Sequence, residues 1–187
     1  MRALLHGAGA CNEGGFRRDH RAPAIRSAAA DSVVVDINHA VPDWTIRHAS
    51  EQDIEQVLSL WDAAGSAETV TDTRDGVVGL LDVDPEAMLV VESDGGEIVG
   101  SLIAAWDGWR GSFYRLAVHP DWRRHGIATA LLREGERSLL ARGVARFTAI
   151  VTDNDPGAMS FWAATGYEQQ QSRARFVRNV ASRHLGP

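Results

Sequence analysis

The segment YRLAVHPDWRRHGIATALL, residues 114–132, constrains the fold more than any other part of the chain. A strand-like apolar run is followed by a His-Pro turn and then by apolar residues at helical spacing. The leading turn of that helix carries Arg123, Arg124 and His125 before Gly126. Cations are unfavourable there, by roughly 0.3 to 1 kcal/mol each, because the unpaired N–H groups of a helix start carry partial positive charge. An external anion bound at this turn would offset that cost.

Two interpretations of this turn are open from its residues alone. It is either an anion site, in which arginine makes bidentate phosphate contacts and Gly126 lets a bulky group approach the backbone, or a solvated basic turn. Other phosphate-binding motifs are excluded. All 19 cationic residues are arginine, whereas a P-loop requires lysine, and no GxGxxG sequence occurs. The order strand, turn, helix favours the anion site.

Composition limits the remaining function classes. With 187 residues, 44% apolar and 24% charged, the chain suits one globular domain. Its net charge of −6 gives no general attraction to nucleic acid or anionic membranes, so we expect neither as a partner. Cys11 is the single cysteine, which rules out an intrachain disulfide and a cysteine-rich zinc site, and no metal is expected. No apolar run reaches the roughly 18 residues of a membrane span, and we expect a cytoplasmic protein.

The chain divides into three parts by the regularity of its sequence. Residues 1–43 show no sustained strand or helix period except the strand-like SVVVDI at 32–37, and we expect an N-terminal extension, either poorly ordered or packed through that strand. Residues 44–180 carry regular patterns and form the predicted domain. Residues 181–187 are expected to be a C-terminal tail.

Within the domain, the patterns predict an α/β fold with a mixed sheet. The elements follow the order β-α-α-β-β-β-α-β-α-β-β, without an internal repeat. Ser50 and Asp53 form a capping-box-like start for the first helix, and residues 94–96 give a hairpin signal. Residues 167–171 and 173–179 are expected to close the sheet as a last pair of strands.

Two motifs together resemble the GNAT superfamily of N-acetyltransferases. The acetyl-CoA loop of that family begins with Gln or Arg, has Gly at its fourth position and ends with Gly or Ala, and residues 123–128, RRHGIA, match it throughout. AMSFWAATGYE, residues 158–168, is similar to the family's last helix and the strand after it. The resemblance covers about residues 45–179 and is closest to small bacterial GNAT proteins of unsettled substrate, with the ribosomal-protein alanine acetyltransferases at greater distance. It implies a mixed, mostly antiparallel twisted sheet flanked by helices.

The resemblance implies where acetyl-CoA binds. The backbone of the triplet at residues 116–118 would pair with the pantetheine arm, and the loop at 124–129 would cradle the pyrophosphate. Asn154 is similar to a family asparagine that contacts the pantetheine, but the spacing is one residue longer, which leaves Asp155 as an alternative. Phe161 would flank the thioester or pack in the core. The full set of expected cofactor-binding residues is Leu116, Ala117, Val118, Arg123, Arg124, His125, Gly126, Ile127, Ala128, Thr129, Asn154, Asp155, Phe161 and Trp162.

The resemblance does not supply the catalytic groups. Acetyl transfer needs a neutral amine, a polarised thioester and an acid for the thiolate. The family often has a tyrosine acid where this chain has Trp162, and the alanine acetyltransferases have a glutamate on the preceding strand that this chain lacks. Asp107, with a pKa raised by its aromatic neighbours, Tyr114 and Glu92 are the candidate substitutes, each with an alternative role in a turn, an ion pair or packing. A water path without an essential residue is a further alternative.

We therefore expect an acetyl-CoA-dependent N-acetyltransferase that moves the acetyl group directly to a primary amine of a small molecule or peptide N-terminus. The alternative is a non-catalytic acyl-CoA-binding or regulatory module. The acidic segment at residues 65–76 and Trp61, together with Asp107 and its neighbours Trp106 and Trp109, would form a pocket for a cationic acceptor, or the segment only keeps the protein soluble. A homodimer is left open.

Overall fold

Residues 43–179 are described by a computed structural model of the protein. The predicted strand at residues 32–37, the rest of the expected N-terminal extension up to residue 42 and the expected C-terminal tail lie outside the described residues. The division of the chain into these parts stays a prediction.

Five strands and four helices form the regular structure of this described part. They are β1 (Trp44–His48), α1 (Ile54–Ala63), α2 (Arg74–Val83), β2 (Met88–Ser93), β3 (Ile98–Trp106), β4 (Gly111–Val118), α3 (Ile127–Ala141), β5 (Phe147–Ala149) and α4 (Pro156–Ala164). Short 3-10 turns precede α1 and α3, at Glu51–Asp53 and Pro120–Trp122. The first nine elements of the predicted order are all present.

The strands form one sheet in the order β1-β2-β3-β4-β5. Neighbouring strands are antiparallel except β4 and β5, which are parallel and connected through α3. A parallel pair requires such a crossover, because a tight turn can join only antiparallel strands. The predicted α/β class with a mixed, mostly antiparallel sheet flanked by helices is confirmed.

Helices cover both faces of the sheet because its central strands are apolar on both sides. In β2, Met88 and Val90 pack with α1 and α2, whereas Leu89 and Val91 pack with α3. Such doubly buried strands are continuous apolar runs instead of alternating ones. α3 buries the residues that its helical spacing predicts, Ile127, Leu131, Leu132 and Leu139.

The predicted capping box before α1 is present and extends into an ion pair. Asp53 accepts the Ser50 N–H at 2.7 Å and the Ser50 hydroxyl at 2.9 Å. Arg47 donates to the two carboxylate oxygens of Asp53 at 2.8 and 2.7 Å. These contacts with Arg47 and Ser50 lower the pKa of Asp53 to about 2. β1 is thereby fixed to the start of α1.

The C-terminal part of the sheet is shorter than predicted. β5 ends at Ala149, where it separates from β4, and the predicted closing pair of strands is absent from the described residues up to 179. Phe176 and Val177 are 94% and 72% exposed, and residues 169–171 are all glutamine. The segment therefore offers no buried apolar face with which a strand could extend the sheet.

Within residues 43–179, no helix has both the length and the apolar character needed to cross a membrane. In the same part of the chain, no three His, Cys, Asp or Glu side chains are grouped so as to hold a metal ion.

Candidate active site

β4 and β5 separate and leave a gap beside the second half of β4. Their pairing runs from Gly111 with Phe147 to Phe113 with Ala149, and β5 covers none of β4 beyond that point. The rings of Phe113 and Phe147 lie 5.6 Å apart at the closed end. The gap thus opens toward the end of β4 that leads into α3.

The triplet Leu116–Val118 presents a backbone edge to this gap. The His119 N–H donates to the Val99 carbonyl at 2.9 Å. Hydrogen-bonded positions alternate along an antiparallel pair. The backbone N–H and C=O groups of Ala117 therefore also point toward β3, and those of Leu116 and Val118 point into the gap. An extended ligand can pair with such an edge as an added strand.

A bulge in β4 lies directly before the triplet. The register shifts between Ser101 and Ile103, so two residues of β4, one of them Arg115, oppose Leu102. Arg115 has φ 51. Its carbonyl accepts the Ser101 hydroxyl at 3.0 Å, and the Ser101 oxygen accepts the Trp61 indole N–H at 2.9 Å. The Arg115 carbonyl, which the bulge removes from the β3–β4 hydrogen-bond ladder, is therefore paired through Ser101 with Trp61 of α1.

The N-terminus of α3 has the features of an anion site. Gly126 is its N-cap with φ 79, no side chain caps it, and its first turn contains no acidic residue. The N–H groups of the first turn therefore point outward without a capping acceptor. A Cβ atom built on Gly126 meets no heavy atom within 4 Å, so the space in front is open. Gly100 of β3, which pairs with Val118, packs against Ile127 and places this turn at the open end of the gap.

Arg123, Arg124 and His125 of the turn have different positions. Arg123, expected among the cofactor-binding residues, makes contacts within the protein instead. Its Nη2 donates to the Ala64 carbonyl at 3.1 Å and its Nε to the Val118 carbonyl at 3.4 Å. The His125 Nδ1 lies 3.0 Å from the Arg123 carbonyl. Arg124 is exposed, has φ 70 and makes no hydrogen bond or ion pair with the other described residues. Arg124 is therefore the guanidinium available to a phosphate.

Helix α4 contributes its expected aromatic residues mainly to packing. Phe161 and Trp162 pack on the core, with the Trp162 ring 6.1 Å from Phe113 and 4.8 Å from Tyr167. The Tyr167 hydroxyl donates to Glu136 at 2.7 Å. Burial, and then the contact with Glu136, raise the pKa of Tyr167 far above its ordinary value, which makes it a poor acid.

The start of helix α4 distinguishes between Asn154 and Asp155 as the residue that contacts the pantetheine. The Asp155 Oδ1 accepts the Ala158 N–H at 2.9 Å, so this carboxylate is the N-cap of α4. Asn154 is exposed and makes no hydrogen bond within the described chain. Asn154 is thus the better candidate for contact with a ligand in the gap.

A cleft of about 280 Å³ lies on the α1 side of β4. It is bounded by the loop between α1 and α2, residues 64–73, which we call the α1–α2 loop. Arg115 pairs with Asp72 of this loop, with its Nε donating at 3.0 Å, and its guanidinium lies 5.0 Å from the centre of the Trp61 ring. The residues that line the cleft are Leu58, Trp61, Asp62, Ser66, Glu68, Asp72 and Arg115.

The expectation that aromatic neighbours raise the pKa of Asp107 is wrong. Its Oδ1 accepts the N–H groups of Arg110 at 2.6 Å and Trp109 at 2.9 Å in the β3–β4 turn, and these two contacts lower its pKa instead of raising it. The turn begins at Asp107, six residues along the chain from Ser101, the β3 residue that contacts Trp61. At 3.3 Å per residue this is roughly 20 Å. The predicted combination of Trp106, Asp107 and Trp109 with the α1–α2 loop is therefore not formed.

The other two candidate catalytic residues differ in their freedom to act. Glu92 accepts the Arg47 Nε at 2.6 Å, in the ion-pair network that also holds Asp53, so its carboxylate is committed to structure. Tyr114 is 40% exposed. It lies on β4 immediately after the last β5-paired residue, and its hydroxyl has no hydrogen-bond partner among residues 43–179. Tyr114 is the candidate that the geometry retains.

Comparison with known proteins decides the family. The model of the Acetyltransferase (GNAT) family matches residues 48–167. The chain belongs to the GNAT family of acetyltransferases. An acetyltransferase of Sodalis glossinidius (strain morsitans) is 36% identical over 127 residues, which are 68% of this chain and 89% of that protein. The resemblance stated from the two motifs is confirmed.

Solved GNAT structures share the fold. AAC(6')-Iy in complex with a bisubstrate analogue, CoA-S-monomethyl-acetylneamine, superimposes with a TM-score of 0.58 at 18% identity, over 74% of this chain and 99% of that one. The ribosomal-protein-S18-alanine N-acetyltransferase from Escherichia coli has a TM-score of 0.56 at 18% identity, over 68% and 79% of the two chains. At these identities the likeness concerns the fold.

Two features of this GNAT domain were missed in the sequence. The Arg115–Asp72 pair joins positions 43 residues apart, and the Trp61–Ser101 contact joins positions 40 apart. The available signal was an arginine inside the apolar run SFYRLAV, where a buried charge requires a partner. The sequence places Asp72 in a segment expected to face solvent or an acceptor, whereas its carboxylate pairs with Arg115.

Proposed function

We propose that this GNAT protein is an N-acetyltransferase that moves the acetyl group of acetyl-CoA directly to a primary amine. The observation that carries the proposal is the continuity of two features: the open backbone edge of Leu116–Val118 leads to the uncapped N-terminus of α3. An extended arm that ends in a pyrophosphate is chemically matched to an edge followed by such an N-terminus.

The chain's own residues supply binding and orientation. Leu116 offers its N–H and C=O groups, and Val118 its N–H group, to the pantetheine arm. Arg124 and the N–H groups of residues 127–129 offer donors to the pyrophosphate. Asn154 extends the site toward α4. Acetyl-CoA, when bound, supplies an activated thioester. The protein then has to position an amine, accept the proton that the amine loses and protonate the departing thiolate.

Tyr114 is our candidate for a proton-handling group. It lies beside the point where β4 and β5 separate, and its hydroxyl is free to contact a substrate. Trp162 occupies the position of the family's tyrosine acid, and its indole cannot serve as an acid. Water at the exposed cleft can take the proton that the attacking amine loses, while the departing CoA thiolate gains one. No strong base is needed for this, because an amine held against a thioester gains much of its rate from proximity.

The α1-side cleft is our candidate acceptor pocket, and it suits a cationic amine. Asp62 and Glu68 line it, and neither forms an ion pair with another described residue. Trp61 and Leu58 give it an apolar wall, although Trp61 is mostly buried. Asp72 adds no free charge because Arg115 neutralises it.

An amine panel tests both the activity and the acceptor class. The protein is mixed with acetyl-CoA and with polyamines, aminoglycosides, amino acids or N-terminal peptides, and the CoA thiol is measured. We expect thiol release with cationic acceptors. CoA binding by calorimetry without turnover on any class would favour the alternative of a non-catalytic acyl-CoA-binding module. A best substrate of net negative charge would contradict the proposed pocket.

A further inference from the structure

Two arginines from the cofactor side of the domain hold the α1–α2 loop at both ends. At its far end, Arg115 contacts three positions of the loop: its Nη2 donates to the Ala67 carbonyl at 3.1 Å, lies 3.5 Å from the Thr69 hydroxyl, and pairs with Asp72. The Arg115 and Asp72 side chains are only 15% and 11% exposed. Solvent therefore screens this pair little, unlike a surface salt bridge.

Asp72 also closes the loop on itself. Its Oδ2 accepts the Thr69 N–H at 2.6 Å, so the carboxylate that Arg115 grips is the one that shapes the loop. Arg115 is attached to the core through its backbone as well, since its carbonyl accepts the Ser101 hydroxyl and Ser101 accepts the Trp61 N–H. The guanidinium and carbonyl of one residue thus fix the loop and α1 relative to β4.

At the near end of the loop, Arg123 joins α1 to the turn before α3. The Ala64 carbonyl that it contacts at 3.1 Å belongs to the C-cap of α1. Terminal carbonyls of a helix lack intrahelical partners and carry partial negative charge, so a guanidinium there is favourable. The same guanidinium contacts Val118, the last residue of the backbone edge.

We propose that Arg115 and Arg123 are positioning residues that set the α1–α2 loop, and with it the acceptor pocket, against the cofactor strand. The inference rests on the proposed function, because it assigns the loop to the acceptor. Both residues flank the Leu116–Val118 edge, so the distance between amine and thioester is fixed by the strand that holds the thioester arm. Loss of either arginine loosens the loop while the CoA contacts of Arg124 and α3 persist.

Limited proteolysis with a protease that cleaves after glutamate tests this without any turnover. Glu68 lies inside the loop, and cleavage there gives fragments 1–68 and 69–187, which mass spectrometry identifies. Cleavage rates follow the population of the open loop. We expect Arg115→Gly and Arg123→Ala to speed cleavage at Glu68 by at least about tenfold. Glycine is chosen at position 115 because φ is 51 there, so the backbone is not strained.

Arg142→Ala is the matched control. Arg142 pairs with Asp84 at 2.5 Å with both side chains about one fifth exposed, so its loss costs stability, but it connects α3 to the end of α2 away from the loop. Cleavage at Glu68 should stay within about twofold of wild type in this variant. Equal acceleration in Arg142→Ala, or unchanged rates in the two loop variants, would overturn the proposal.

Kinetics then separate positioning from general stability. With an active amine, Arg115→Gly should raise KM for the amine at least about fivefold, with the Kd for CoA by calorimetry within about twofold of wild type, and Arg115→Lys should recover part of the loss. An equal loss of CoA affinity would overturn the proposal. If no amine is acetylated, the proposed function fails, while the proteolysis result still decides whether the two arginines hold the loop.

Discussion

Replacing Arg124 with glycine should separate cofactor binding from folding. Arg124 has φ 70, a left-handed conformation that costs a non-glycine residue roughly 1 kcal/mol, and glycine adopts it freely. The side chain is exposed and makes no hydrogen bond or ion pair with other described residues that folding would lose. We therefore expect the free energy of unfolding to stay within about 1 kcal/mol of wild type. A charge-assisted contact with phosphate contributes about 1 to 3 kcal/mol, so the Kd for CoA should rise roughly 5- to 150-fold.

Calorimetric titration with CoA and with pantetheine provides the assay, because pantetheine has no pyrophosphate. Arg124→Gly should lose affinity for CoA and keep its affinity for pantetheine. Arg133→Ala is a control, since it removes an exposed arginine from the second turn of α3. Equal loss for both ligands, or unchanged CoA affinity, would refute the assignment of Arg124 to the phosphate.

Three further predictions test other parts of the structure. Tyr114→Phe should lower kcat by about 10- to 100-fold with CoA affinity unchanged, as expected for loss of a proton-handling hydroxyl, and unchanged kcat would remove Tyr114 from the mechanism. Asp53→Asn should cost about 1 to 2 kcal/mol of unfolding free energy at pH 7 in urea titrations, a figure reduced for the partly exposed Arg47. Because the pKa of Asp53 is lowered on folding to about 2, its stabilisation is complete above about pH 4 and lost as the pH falls toward 2, so the wild type and the variant should converge there. Trp61→Phe should cost about 1 kcal/mol through the lost donor to buried Ser101, and this loss should not add to that of Ser101→Ala.

Local patterns were sufficient for most of the fold. The Ser50–Asp53 box, the hairpin at residues 94–96 and the apolar face of α3 depend on neighbours within a few positions, and each is present. The prediction of two closing strands was wrong because propensity alone does not make a strand. After Tyr167, the apolar residues Phe176 and Val177 are exposed and give no buried face.

The site was predictable only where it is contiguous in sequence. The uncapped turn at Gly126 is such a case. The predicted rise in the pKa of Asp107 was wrong because tryptophans adjacent in sequence do not bury a carboxylate. In the turn, its carboxylate accepts backbone N–H groups that lower its pKa. Arg115 and Asp72 were missed as partners because their pairing is set by the bulge in β4 and by the length of the α1–α2 loop, neither of which has a local signal.

Acetyl-CoA labelled with ¹³C at its carbonyl carbon tests the central claim most directly. Incubated with the protein and the best amine of the panel, the label should move to an amide on that amine, with one CoA thiol released per amide and no label on the protein. Transfer should require the site, so Arg124→Gly at a CoA concentration near the wild-type Kd should slow it. Label found as free acetate, on the protein or still on CoA after long incubation would contradict direct acetyl transfer to an amine.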